Sequence, residues 1–157
     1  MVKNISIYVM RHGEADYSSK EGERVLTQEG EERICRWGRF CDVNKVDCQS
    51  IWHSPLKRAV QTASLMKDSL GVSSDQLEVK DFLSPDGDLD LILRELEVLD
   101  TSTLLVSHLP LVDILVARLL FGREREAFHY RVGAVIALER MYERWYLNWM
   151  LHPEMLI

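Results

Sequence analysis

The chain has 157 residues, 46% of them hydrophobic and 28% charged, with a formal net charge of −6 and a pI near 5.4. That length and apolar content suit one domain, spanning 1–157, whose core needs neither disulfides nor a structural metal. The acidic balance excludes a nucleic-acid binder that works by bulk electrostatics, but it permits a local basic pocket.

In chain order, Met1 to Ile5 lacks the basic and long apolar regions of a secretory signal. Ile5 to Met10 is a β-rich apolar run, read as a buried strand; the Asn4-Ile5-Ser6 sequon falls inside it and is discounted. Glu14 to Arg24 is polar and reads as a mobile surface loop. Thr27 should cap a helix that runs to about Cys41, with Glu29 in its acidic first turn. Ser50 to Trp52 is a second strand. Ser54 as N-cap and Pro55 at the first helical position open a helix to about Ser69. Leu77 to Val79 is a third strand, Ser84 to Asp88 a turn, and Leu89 to Leu99 a helix. Thr103 to Val106 is a further strand, followed by a helix from about Leu109 to Leu120. Gly133 to Glu139 and Trp145 to Met150 alternate as a closing antiparallel hairpin, with Trp145, Tyr146 and Trp149 as core and flank. The apolar stretch from Leu104 to Phe121 is broken by His108, Pro110, Asp113 and Arg118, so no membrane span is expected. Cys35, Cys41 and Cys48 form no CxxC pair and are read as reduced.

Strands alternating with helices predict a three-layer α/β sandwich with a mainly parallel sheet and helices on both faces. Ligands of such sheets gather beyond the carboxyl ends of the strands. Three of those ends carry cationic or titratable residues: Arg11-His12-Gly13, then His53-Ser54-Pro55 leading to Lys57-Arg58, then Ser107-His108 with Pro110 just inside the next helix. Arg58 in a first helical turn opposes the helix dipole, unless an anion sits between it and the helix end. Phosphoryl transfer suits the set. Arginine forks bind the non-bridging oxygens, and a neutral imidazole attacks phosphorus. Spacing alone leaves open which of His12 and His108 attacks.

Arg11-His12-Gly13-Glu14, the segment from Ser54 to Thr62, and Ser107-His108 together resemble the histidine phosphatase superfamily, whose fold is phosphoglycerate-mutase-like. Leu26-Thr27 with Gly30, Leu83-Ser84-Pro85 with Gly87-Asp88, Ser107 to Val112, and Asn148-Trp149 are similar to its small bacterial phosphohistidine phosphatases of the SixA type. The resemblance implies that His12 becomes phosphorylated and that Arg11, Arg58 and His108 complete the phosphate pocket, with no metal and no cofactor. It also implies a phosphohistidine-bearing protein as substrate, from a phosphorelay or a phosphocarrier. A cytoplasmic monomer that engages neither nucleic acid nor membrane is expected.

The dedicated catalytic Glu of the superfamily's mutases and phosphomonoesterases has no match between Asp81 and Asp88, and Leu109 follows His108. Asp81, Asp86 and Asp88 stay as fallback acids, although turn and capping roles explain them. An imidazole leaving group, with a pKa of about 6.5, needs far less protonation than an alkoxide. The missing acid therefore favours a P–N bond. The rivals are a phosphomonoesterase for small molecules or phosphoserine/threonine, and a non-catalytic phosphoprotein-binding module. His53, His129 and His152 read as structural or surface residues. Glu14 either orients the pocket arginines or is solvated, and the charges at Glu21 to Arg24 read as solvated.

Overall fold

The computed structural model describes residues 4–17 and 22–157. The readings that involve Met1 to Lys3 and Ser18 to Glu21 lie outside them.

A six-stranded sheet organises the chain. Its strands are β1 (Ile5–Arg11), β4 (Ser50–His53), β5 (Leu77–Val79), β6 (Thr103–Ser107), β7 (Val135–Met141) and β8 (Arg144–Leu151), in the order β5-β4-β6-β1-β7-β8. The first four are mutually parallel, and β7 and β8 add an antiparallel edge. A separate small ladder pairs β2 (Ala15–Asp16) with β3 (Val25–Leu26), so part of the predicted loop is ordered as strand.

Strand alternation builds two cores, because successive side chains point to opposite faces. Along β1, Ile5, Ile7 and Val9 pack toward α4 (Leu89–Glu97) and α5 (Leu111–Phe121), with Ile92, Leu96, Leu115 and Val116. Tyr8 and Met10 pack the other way, toward α1 (Gln28–Cys35), α2 (Trp37–Val43) and α3 (Lys57–Leu70), with Ile34, Trp37, Ala63 and Met66. This is the three-layer sandwich that the alternation of elements predicts.

The structure moves several boundaries. The helix expected from Thr27 to Cys41 is two helices, because the Arg36 N–H bonds back to the Arg33 carbonyl and tightens the chain there. Thr27 does cap α1, its Oγ1 accepting the Gly30 N–H at 2.9 Å. Ser54 and Pro55 precede the helix instead of opening it; α3 begins at Lys57 behind an extended Leu56. The last helix starts at Leu111, with Pro110 as its N-cap residue.

Trp145 and Trp149 do not share a face. The register shifts between Ala137 and Leu138, opposite an extra residue, Asn148. That bulge sends Trp145 to the α4–α5 core and Trp149 to the α1–α3 core, where it stacks on Trp37 at 6.0 Å. The three cysteines are free thiols. Among the described residues, no helix is long and apolar enough to cross a membrane.

Candidate active site

The register of the central strands brings the three expected ends level. Arg11 at the end of β1 pairs with Ser107 of β6, and His53 of β4 pairs with Val106. The ladder continues one residue further, since His12 N donates to Ser107 O and Ser54 N to Val106 O, both at 3.0 Å. His12 and His108 therefore meet at the carboxyl edge, their ring centroids 5.0 Å apart.

The His12 tautomer follows from its neighbours. Nδ1 lies 2.7 Å from the Gly13 carbonyl, which can only accept, so Nδ1 carries the proton. Nε2 then holds a lone pair, and Arg58 Nε donates to it at 3.3 Å. Burial lowers the His12 pKa to about 3; the bond to Gly13 resists this, while His108, Arg58 and Arg11 add to it. Such a ring is neutral at physiological pH and presents an unprotonated nitrogen.

His108 is held at about 4, by burial first and then by Arg58, Arg24 and Arg11. Its Nε2 lies 2.7 Å from Ser54 Oγ. Arg11 donates from Nη1 to the Tyr130 carbonyl at 2.8 Å. Among the described residues, two buried side-chain atoms have no hydrogen-bond partner: Arg11 Nε and His108 Nδ1. Buried polar atoms are seldom left bare, and these two belong to residues whose charges act on His12, where an acceptor would satisfy both. The charges that shift both histidines are cationic. An anion matches all four groups.

Loops hold this geometry by side chains. Thr62 Oγ1 donates to the Arg58 carbonyl at 2.7 Å and accepts the Gly13 N–H at 3.0 Å, tying α3 to the residue after His12. A Cβ on Gly13 would meet Ile34 at 3.0 Å and Leu26 at 3.1 Å, so core packing requires the glycine here. Gly133, at φ +74°, donates its N–H toward the carbonyls of Arg11 and His12. Its own carbonyl accepts from Trp37 Nε1 at 3.0 Å. The loop after β1 is thus gripped from α3 and from the start of β7.

The other sequence candidates are placed elsewhere. Glu14 accepts from Thr27 Oγ1 and pairs with Arg33 at 3.2 Å, so it braces α1 and orients neither Arg11 nor Arg58. Asp88 caps α4 by accepting the Leu91 N–H, and Asp81 and Asp86 are exposed. His152 pairs with Glu154, whereas His53 is buried with Nδ1 2.9 Å from the Ser54 carbonyl. His129 is exposed in a groove of about 540 Å³ beside Arg11, lined also by Leu109, Pro110, Phe128 and Arg131.

Sequence reasoning missed Arg24. It stands just before β3, donates to the Ala15 carbonyl at 3.3 Å, and its charge acts on Arg11, Arg58 and His108. No local pattern sets it apart from the charges around it; only the docking of β3 on α3, through Gln61 Oε1 and the Leu26 N–H, carries it to the pocket. Ser54 and Thr62 stood inside the segment that carried the resemblance, but the partners that tie them to the site, His108 and Gly13, come from distant elements.

Known proteins resemble the chain along most of its length. The model of the histidine phosphatase superfamily (branch 1) matches residues 7–82. Phosphohistidine phosphatase SixA of Escherichia coli (strain K12) is 31% identical over 154 residues, covering 95% of this chain and 94% of that protein. A solved structure of the protein histidine phosphatase SixA complexed with tungstate superposes with a TM-score of 0.83 at 32% identity, covering 95% and 97% of the two chains. Phosphoglycerate mutase from Bacillus anthracis str. Sterne, at 13% identity, shares the fold with a TM-score of 0.69 over 94% of this chain and 92% of that one. With a relative of that identity along almost its whole length, and with paired histidines and arginines at the carboxyl edge of its sheet, the chain belongs to the histidine phosphatase superfamily.

Proposed function

We propose that the chain is a metal-independent phosphohistidine phosphatase acting on a phosphorylated protein through a phosphorylated His12. The observation that carries the reading is the pair of bare buried nitrogens, Arg11 Nε and His108 Nδ1, in the pocket of an unprotonated His12 Nε2. In the first step His12 Nε2 bonds to phosphorus as the P–N bond to the substrate imidazole breaks; that ring, protonated by solvent on its other nitrogen, leaves as neutral imidazole. In the second, water attacks phosphorus, the bond to His12 breaks, and inorganic phosphate departs. Arg11, Arg58 and His108 hold the non-bridging oxygens through both steps, supplying the positive charge that a metal supplies elsewhere.

The ring charges favour P–N over P–O cleavage. The groups that shift His12 and His108 are basic, and the nearest sequence carboxylate, Glu14, is spent on Thr27 and Arg33. An alkoxide would lack its proton donor here, while imidazole leaves with little help. The Escherichia coli relative, a phosphohistidine phosphatase, and the tungstate oxyanion held by the solved relative support the same chemistry. Residues 1–157 act in this reading as a single domain, monomeric and cytoplasmic.

The test is phosphate release from a phosphohistidine protein and from p-nitrophenyl phosphate, in EDTA, by wild type and His12→Ala. Preferential release from phosphohistidine, abolished by the substitution and untouched by EDTA, is expected. Equal or faster ester cleavage would make the chain a general phosphomonoesterase. Phosphate binding without turnover would make it a binding module.

A further inference from the structure

We infer that Ser54 is a positioning residue: it fixes neutral His108 as the tautomer protonated on Nδ1, so that the bare nitrogen is a donor for a phosphoryl oxygen. The inference rests on reading the pocket as a phosphoryl site, and adds to it a residue whose expected job was to cap a helix. That job is not what the structure gives it. The helix begins three residues later, at Lys57, with no side-chain cap.

Counting protons decides the tautomer. Ser54 is wholly buried, and its Oγ accepts the Leu56 N–H at 3.2 Å and lies 2.7 Å from His108 Nε2. If the hydroxyl donates to Nε2, the ring proton sits on Nδ1, and one group, the Nδ1–H, is left without a partner. If Nε2–H donates to the hydroxyl instead, the Ser54 proton has no acceptor among the described residues, and the Nδ1 lone pair is bare as well. The first arrangement strands one buried polar group and the second strands two, and each such group is costly. The bare groups also differ in sign. An Nδ1–H attracts an oxyanion, whereas an Nδ1 lone pair would repel the oxygens that Arg11 and Arg58 gather.

A hydroxyl has a further advantage over a carbonyl or a carboxylate at this place. When an anion arrives and His108 takes up a proton, Nε2–H needs an acceptor, and Ser54 Oγ becomes one by turning its own hydrogen away. The ring can then be neutral or cationic with Nδ1 donating in both states. His12 is treated differently: the Gly13 carbonyl accepts only, and fixes one tautomer with a free Nε2.

The test reads the tautomer directly, by ¹⁵N NMR of the full chain labelled at its histidine rings, at pH 7.5. Signals of His108 are assigned by their loss in His108→Gln. In the wild type, Nδ1 should resonate as a protonated and Nε2 as an unprotonated nitrogen. In Ser54→Ala the two should move toward each other as tautomers mix, with Ser54→Cys, a weaker donor, between them. Turnover of phosphohistidine should fall in kcat more than it changes KM, by about tenfold to a hundredfold in Ser54→Ala, the weight of one hydrogen bond to a charged group. A wild-type His108 protonated on Nε2, or an unchanged tautomer in a folded Ser54→Ala, would overturn the assignment. Should Ser54→Ala not fold, the wild-type spectrum and Ser54→Cys decide it. The expected spectrum with no turnover of any phosphohistidine substrate would instead leave the tautomer standing and remove the proposed function.

Discussion

At the scale of single residues the pocket is a balance between burial and charge. His12 and His108 are pushed down to about 3 and about 4, from an ordinary 6.5. A buried imidazole between arginines resists protonation until an anion offsets them. Below pH 6.5 the unfolded chain binds protons that the folded chain refuses, so stability should drop as pH falls from about 6.5 toward 4. An anion in the pocket raises the folded pKa of His108 and reverses the sign. Sulfate, which does not titrate in this window, should therefore bind more tightly as pH falls, taking up a proton as it binds. Calorimetry in two buffers of different ionisation enthalpy measures that uptake, and His108→Gln should abolish it.

Between elements, the site depends on close approaches that side chains would obstruct. A Cβ on Gly30 would lie 2.3 Å from the Glu14 carbonyl oxygen, which accepts the Thr27 N–H at 2.9 Å. Gly30→Ala must push α1 away from the loop after His12. We expect a loss of about 1–3 kcal/mol, seen as a lower urea midpoint at unchanged m-value. The legible part of the chain divides along the same line. Thr27 as a cap was readable because its partner is three residues away, and the carboxyl-edge cluster because strand ends of parallel sheets converge. The break at Arg36 was not, since Ile34, Trp37 and Cys41 keep helical spacing across it, and the reason for turning lies at Gly133. Ser54 followed by Pro55 is a sound cap pattern, overridden because the Ser54 hydroxyl is engaged by His108. Trp145 and Trp149 were separated by a bulge that no local residue announces.

The whole molecule carries a net charge of −6, yet concentrates Arg11, Arg24 and Arg58 at one edge. Arg24 adds field rather than a bond to either histidine, so its contribution should be screened by salt. Arg24→Gln is expected to weaken sulfate binding by about threefold to tenfold at low ionic strength, with the difference shrinking toward 1 M salt. Calorimetric titrations along a salt series distinguish this from a direct contact, which would survive.

The sheet order has a consequence for how the molecule is made. β1 leaves the ribosome before β6 and β7, but Ile7 lies between Thr103 and Leu138, and the His12 carbonyl accepts from Gly133. During synthesis the strand that leads to His12 must wait, unpaired on both sides, until its two partners have emerged. A nascent or prematurely terminated chain therefore holds His12 and Arg58 without the rest of their pocket. The proposed phosphate pocket is assembled only once β6 and β7 have joined β1.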